Sequence, residues 1–448
     1  PSVTQPGGPE SRSIGANKQP MKSLLQLSCI ALLTATVFLT GCEQDKCTRT
    51  QEYTAFEPVY KRIDEMRVPA TYVAAKSLTA PGKIFYYKGY LLINEMNEGI
   101  HVIDNKNPES PVNIGFIDVP GNLDMAVHND ILYADSYLDL VAIDISNPSA
   151  PVEVNRVQDV FQNFYSYTDQ IGYLVEYKMT NVKQTIDCSN INWGNPIWID
   201  GGGVVFSADA SFGGEFNPSV SSNITSSVVT GGSFARFTAL NDYLYTIDGA
   251  EVKVFDVQQP LPVLKNEVTM QWGIETLFPM AGSLFVGSNN GMLIYDMSNP
   301  EAPAYRSTFA HATACDPVVV NGNTAYVTLR NGNNCQGFVN QLDVIDVSNL
   351  DNPNLIRTYP MSNPHGLSVV DQTLYLCEGS FGIKTFDVSD PNRIGERLQD
   401  HISGFEAYDV IVLPPGDHVM VVGKDGLYQF DATDRSDLKQ LSVISIGL

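Results

Sequence analysis

Between residues 81 and 448 the chain is written in short apolar runs separated by clusters of Asn, Asp, Gly and Pro. One run of each unit ends in aspartate: Gly99-Ile-His-Val-Ile-Asp104, Leu140-Val-Ala-Ile-Asp144, Val252-Lys-Val-Phe-Asp256 and Met292-Leu-Ile-Tyr-Asp296. The series continues with Leu342-Asp-Val-Ile-Asp346, Ile383-Lys-Thr-Phe-Asp387 and Leu427-Tyr-Gln-Phe-Asp431. A second run precedes each of these, such as Ile131-Leu-Tyr-Ala or Tyr243-Leu-Tyr-Thr. A third lies earlier still, such as Met125-Ala-Val, and a fourth follows, as in Val112-Asn-Ile-Gly-Phe-Ile. Short β-rich runs bounded by turn formers predict strands. After the aspartate comes a turn such as Asp144-Ile-Ser-Asn-Pro148, in which Asx side chains bond the backbone locally and proline fixes φ.

A worn copy, Ile186-Asp187-Cys188-Ser189-Asn190, brings the marker aspartates to eight, at 104, 144, 187, 256, 296, 346, 387 and 431. Four strands per unit of about 40 residues is the repeat of a propeller blade. The expectation is an all-β fold, a β-propeller of eight four-stranded blades over residues 81–448, with seven blades as the alternative. The Asp-x-Ser-Asn-Pro units resemble the LVIVD repeat family, found in bacterial lipoproteins and often in those of Bacteroidetes. The resemblance covers nearly all of 81–448 and implies a β-propeller with no established activity. Residues 191–233, rich in Gly and Ser, interrupt the repeat and read as an inserted flap. Trp193 and Trp198 within it offer a contact patch or a staple to the ring.

Ahead of the repeats stands an address. Met21-Lys-Ser, an apolar stretch from Leu24 to Leu39, and Thr40-Gly41-Cys42 follow the order of a secretory signal, too short for a lasting span. Leu39-Thr40-Gly41-Cys42 resembles the bacterial lipobox, which implies cleavage before Cys42 and acylation of that cysteine. Several acyl chains at about 0.8 kcal/mol per buried methylene make a durable anchor. Residues 1–20 therefore read as an upstream extension and 21–41 as the signal peptide. Residues 42–80 read as a lipidated tether followed by a strand on the outside of the ring. Glu43 and Asp45 loosely resemble the acidic export signals of surface lipoproteins in Bacteroidetes. The expected location is the bacterial cell envelope, with the lipid in the outer membrane.

Composition narrows the partners. The 448 residues carry 27 Lys plus Arg against 50 Asp plus Glu, a net charge of −23, and loss of residues 1–41 deepens it to −25. Such a chain is a poor ligand for nucleic acid, whose affinity is carried by cationic contacts to phosphate. With 43% hydrophobic and 17% charged residues, a large core is expected rather than disorder. Of the 7 cysteines, Cys29 leaves with the signal and Cys42 is acylated. Cys315 and Cys335 fall on the same face of one unit, so a disulfide between them fits an exported protein. Cys188 and Cys377 read as buried thiols.

No Gly-x-Ser-x-Gly elbow, His-Glu-x-x-His pair or Gly-rich phosphate loop is present. Aligning the units by their markers nevertheless places a polar residue at the start of each innermost strand: Lys83, Asp124, Asn163, Arg236, Glu275, Asp316, His365 and Asp409. In a propeller this column faces the mouth of the central channel. On one reading these are strand starts whose charges pair with one another, because charges avoid burial unless paired. On the other they form a polar ligand site or hold a divalent cation such as calcium. Asp124, Glu275, Asp316 and Asp409 would then supply oxygens, and His365 a nitrogen. The function expected is a non-catalytic, lipid-anchored binding or scaffold module for an envelope protein or glycan. The alternative is a metal-assisted hydrolase or lyase with His365 as acid or base.

Overall fold

The computed structural model describes residues 48–187, 197–199, 203–205, 236–270, 273–280, 282–288, 291–310, 317–330 and 339–447. The chain divides into two compact units, Pro58–Tyr177 with Gly213–Leu448, and Pro1–Glu57 with Lys178–Phe212. In the smaller unit Ala55 pairs with Val205 and Phe56 with Val204, while Ile197–Ile199 runs antiparallel to Gly203–Val205. Thr54 Oγ1 donates to Asn181 Oδ1 at 3.1 Å.

The larger unit contains, among the described residues, seven consecutive antiparallel sheets built from four strands in sequence order. Their inner strands are Pro81–Tyr87, Met125–His128, Phe237–Leu240, Ile274–Met280, Val318–Asn321, Leu367–Val370 and Ala407–Leu413, and the blades are numbered 1 to 7 in that order. Thr71–Val73 adds a further strand to the outer edge of blade 1 by pairing with Phe116–Asp118.

The expected eighth blade gives way to the alternative of seven. Asp187 ends a single strand of 16 residues, Gly172–Asp187, instead of the third strand of a four-stranded sheet. The stretch before it turns back on itself in a hairpin, with Tyr167 opposite Tyr173. Blades 2 and 3 pack directly together without it, through Tyr133, Leu140 and Ala142 against Phe237, Leu244 and Phe255. The worn copy keeps the order Asp187-Cys188-Ser189-Asn190, but residues 188–190 lie outside the described residues.

No blade encloses a core of its own. Successive residues of a middle strand face opposite neighbours: Leu92 packs with Leu132, Val141 and Ile143 of blade 2, whereas Leu91 and Ile93 pack with Met420 and Val422 of blade 7. The same sharing joins each remaining pair of successive blades. Strands covered on both faces read as continuous apolar runs, which is the pattern seen in the sequence.

The marker turn is capped twice. Asp144 Oδ1 accepts the Ser146 amide at 2.8 Å, and Asn147 Oδ1 accepts the Ser149 amide at 3.2 Å. Asp296 with Asn299, Asp346 with Asn349, Asp387 with Asp390 and Asp431 with Asp434 repeat the arrangement. The serine hydroxyl and then the amide hold Asp144, Asp346 and Asp387 below the ordinary carboxylate range. A folded value below the unfolded one means that this stabilisation is complete above about pH 4 and is lost as the pH falls further.

Five of the turns are also gripped by the preceding blade. Tyr245 donates to the Pro300 carbonyl at 2.9 Å, Ser307 to Leu350 at 2.5 Å, Tyr359 to Pro391 at 2.8 Å and Thr385 to Arg435 at 3.0 Å. Ser442 of blade 7 makes the same contact to Pro108 of blade 1 at 2.6 Å, across the closure of the ring. There the buried amides of Gln429 and Asn105 exchange two hydrogen bonds of 2.9 Å. The Gly447 amide donates to the Leu78 carbonyl at 2.8 Å.

Cys42, Cys315, Cys335, Asp316 and Trp193 lie outside the described residues, as does most of 191–233. Cys377 is a buried free thiol.

Gln429→Ala strands the Asn105 amide in the closing interface. The expected loss is about 1–3 kcal/mol, the cost of an unsatisfied buried polar group, read as a lower urea midpoint at unchanged slope. Ser442→Ala, which leaves a carbonyl able to accept elsewhere, costs less, about 0.5–1.5 kcal/mol. A Gln429→Ala chain as stable as the wild type would mean that the shared apolar core alone closes the ring.

Candidate functional site

The inner strands of blades 1, 2, 3 and 7 end at Tyr87, His128, Leu240 and Leu413, opposite Tyr90, Ile131, Tyr243 and His418. Lys83, Asp124, Arg236 and Asp409 each stand four residues before those ends and so share one row. Glu275 and His365 stand five residues before Met280 and Val370, one step further along. Asn163 is off the column altogether. It lies in the 3-10 turn Gln162–Phe164, where its amide and side chain both donate to the Asp248 carboxylate at 3.1 Å. The sequence alignment misplaced it because it belongs to the unit that forms no blade.

Lys83 and Asp124 form a buried ion pair of 2.9 Å, with the two residues 6% and 2% exposed. Lys83 Nζ also donates to the Phe237 carbonyl at 2.8 Å, reaching from blade 1 to blade 3. Asp124 Oδ1 accepts the Met125 amide at 2.6 Å, and Oδ2 accepts the amides of Arg236 at 2.6 Å and Phe237 at 3.0 Å. A carboxylate offers about four lone-pair directions, and here four donors occupy them. The group is therefore a fastener joining three blades. Removing one partner of such a pair leaves an uncompensated buried charge, at a cost of about 3–5 kcal/mol.

Three residues that the sequence column missed complete this knot. Asn94 Nδ2 donates to Asn122 Oδ1 at 2.5 Å, and Asn122 Nδ2 donates to Asp135 Oδ1 at 2.9 Å. Asp135 Oδ1 also accepts the amides of Leu123 at 2.7 Å and Asp124 at 2.9 Å. Burial raises the Asp135 carboxyl to about 6 in spite of those donors and the nearby Arg236 charge. The guanidinium of Arg236 lies over the Phe164 ring, 4.3 Å from its centroid.

On the opposite arc His365 is committed as well. Thr328 Oγ1 donates to the His365 carbonyl at 2.7 Å, and the His365 amide donates to Cys377 at 2.8 Å. His365 Nε2 faces Arg330 Nη1 at 3.2 Å. Arginine only donates, so Nε2 accepts and the ring proton sits on Nδ1. Burial, with the Arg330 charge second, lowers His365 to about 3. Asp409 is fully buried against the Gly366 backbone, where an added Cβ would come within 1.8 Å of its Oδ1. Burial pushes Glu275 up to about 7. Among the described residues no three of His, Cys, Asp and Glu converge as a metal site, and Asp316 lies outside them.

Residues 124–159, 283–310 and 313–360 match the LVIVD repeat. These are three segments of a chain whose four-stranded sheets, seven among the described residues, form a β-propeller. No curated protein matches the chain. Solved structures similar to it include BamB from Moraxella catarrhalis, 7% identical, with a TM-score of 0.45 over 84% of this chain and 96% of that one. A proposed 6-phosphogluconolactonase from Bacteroides fragilis is 10% identical, with a TM-score of 0.49 over 88% and 96%. The computationally designed Ika8 protein is 10% identical, with a TM-score of 0.47 over 82% and 89%. The blade count rests on the strand pairing described above.

The His365 environment has a measurable consequence. Its folded value, about 3, lies below the ordinary histidine value, so acid protonates the unfolded chain first and stability falls from about pH 6.5 downward. His365→Gln lacks that slope. Between about pH 7.5 and about pH 5 the urea stability of the variant should therefore gain about 2 kcal/mol on the wild type. Parallel profiles would place a charged imidazole in the folded ring.

Proposed function

We propose that the protein is a non-catalytic binding or scaffold module, tethered by lipid on Cys42 to the outer membrane of a bacterial envelope. The observation that carries the non-catalytic part is the commitment of Lys83, Asp124 and His365. Asp124 holds four donors while Lys83 bridges it to blade 3. His365 is a neutral acceptor facing Arg330. A general acid or base works best with a pKa near the working pH, and His365 is far from that. The hydrolase or lyase reading loses His365 as its acid or base for this reason, and Glu275, pushed up to about 7, is the axial group it would need instead. Support for the tether comes from the lipobox-like Leu39-Thr40-Gly41-Cys42. A ring with rigid interior fastenings leaves its loops to carry recognition, and an envelope protein or glycan is the partner we assign to them.

Two measurements test this reading. Cys42→Ala should abolish incorporation of labelled palmitate and move the chain from the membrane to the soluble fraction. Mild crosslinking and recovery of the wild-type chain should retain a partner, and His365→Gln should recover it equally well. A Cys42→Ala chain that keeps its label and its membrane association would overturn the tether. Loss of a hydrolytic activity on His365→Gln, with the fold intact, would overturn the non-catalytic reading.

A further inference from the structure

Away from the axial knot, the larger unit holds a cleft of about 380 Å³. That size falls within the range of about 300–1,000 Å³ typical of small-ligand sites. The apolar part of its lining is Met96, Pro120, Tyr137 and Val175. The polar part is the Asn97 amide, the carboxylates of Glu98, Asp118 and Glu176, and the ammonium groups of Lys61 and Lys76. Met96, Asn97 and Glu98 form the turn between the second and third strands of blade 1, and Tyr137 belongs to the same turn of blade 2.

The two turns are held in shape before any ligand arrives. Asn97 and Tyr137 both adopt left-handed backbone, at φ +64° and +55°. A bulky aromatic residue in that region is a genuine outlier, and such outliers gather at ligand sites. The Asn97 amide donates to the Asn122 carbonyl at 2.8 Å, and the Gly121 amide donates back to the Asn97 carbonyl at 2.8 Å. The Tyr137 ring lies on Gly121, where an added Cβ would sit 2.4 Å from a ring carbon. The cations are positioned too. Lys76 Nζ is 4.0 Å from the Phe116 ring centroid and 3.5 Å from Glu98, and Lys61 Nζ is 5.5 Å from the Tyr137 ring centroid.

The lining matches one ligand chemistry better than others. Carboxylates accept hydroxyl protons, ammonium and amide groups donate to hydroxyl oxygens, and the apolar part suits the C–H face of a ring. Three carboxylates against two ammonium groups give no field that would select an anion. We propose that this cleft binds a neutral saccharide, one or two sugar rings of a glycan. The inference rests on the reading of the protein as an envelope binding module, and it names that module's ligand class and place. A glycan carrying uronic acid is disfavoured by Glu98, Asp118 and Glu176.

The test is calorimetric titration of the intact chain with cellobiose, maltose and N,N′-diacetylchitobiose, with glucuronic acid as the anionic probe. At least one neutral disaccharide should bind. Asp118→Asn and Asn97→Gly, the latter keeping the left-handed turn, should each weaken it by about tenfold or more, as expected for one lost hydrogen bond in a small site. Asp437→Asn, on an exposed turn of blade 7, should leave it unchanged. Affinity should stay constant between about 0.05 M and about 0.5 M salt, because neutral ligands escape screening. Failure of all three disaccharides to bind would overturn the site. So would binding that survives both cleft variants, or tighter binding of glucuronic acid than of any neutral sugar. Membrane association and partner recovery are scored separately on the same chain, which keeps a failed titration distinct from a failed scaffold reading.

Discussion

A sheet that buries both faces against its neighbours cannot stand alone, and every blade of this ring is such a sheet. Leu91 and Ile93 serve one interface and Leu92 the other, so removing any blade exposes two apolar surfaces. Stability in a repeat protein is a sum of unit and interface terms, and closure adds one interface that an open array lacks. That last interface is the only one joining residues from opposite ends of the repeat array. It uses the grip found elsewhere in the ring, a hydroxyl on the next blade's turn carbonyl, in Ser442 to Pro108. The paired amides of Gln429 and Asn105 lie beneath it.

The double-sided burial also dictates where polar groups can go. Many lie at strand ends, outward in the Asx-capped turns or inward at the axis, and Gln429, inside a strand, meets a partner from the next blade. At the axis solvent is scarce, so charge survives only by being shared among blades. Asp124 is the clearest case, holding a lysine from blade 1 and two amides from blade 3. His365 is the converse, a titratable ring kept neutral beside a guanidinium. Both arrangements favour one order of blades over a shuffled one, because a different neighbour would leave a buried charge without its counterpart.

How much of this was legible follows from the same physics. The seven aspartates that end third strands, from Asp104 to Asp431, could be read because a two-sided apolar strand that ends in a turn-capping aspartate is a strong local signal. Asp187 imitated the marker at the end of a single strand of 16 residues, and the count of eight failed there. The alignment also brought Lys83, Asp124, Arg236 and Asp409 into one register row, since spacing from a marker survives folding within a blade. It could not say that Asp124 would be saturated by backbone amides, because those donors come from residues 125, 236 and 237. Asn94, Asn122 and Asp135 escaped notice for a related reason. Each is an ordinary turn or strand residue whose role appears only once two blades meet.

The cleft was invisible for a stronger reason. Its lining comes from residues 61, 76, 96–98, 118, 120, 137 and 175–176, which follow no common spacing and recur in no other blade. The repeat specifies a scaffold, and what distinguishes one blade from the next lies in the turns that depart from the repeat. Blades 1 and 2 depart at Asn97 and Tyr137, where side chains occupy backbone that glycine adopts more readily. Such a conformation persists only when the surroundings enforce it. The surroundings here are the shared core of blades 1 and 2 together with the Asn122 contacts. The shared packing that fixes Asp124 and its partners is therefore also what holds the proposed cleft in shape at the rim of the same two blades.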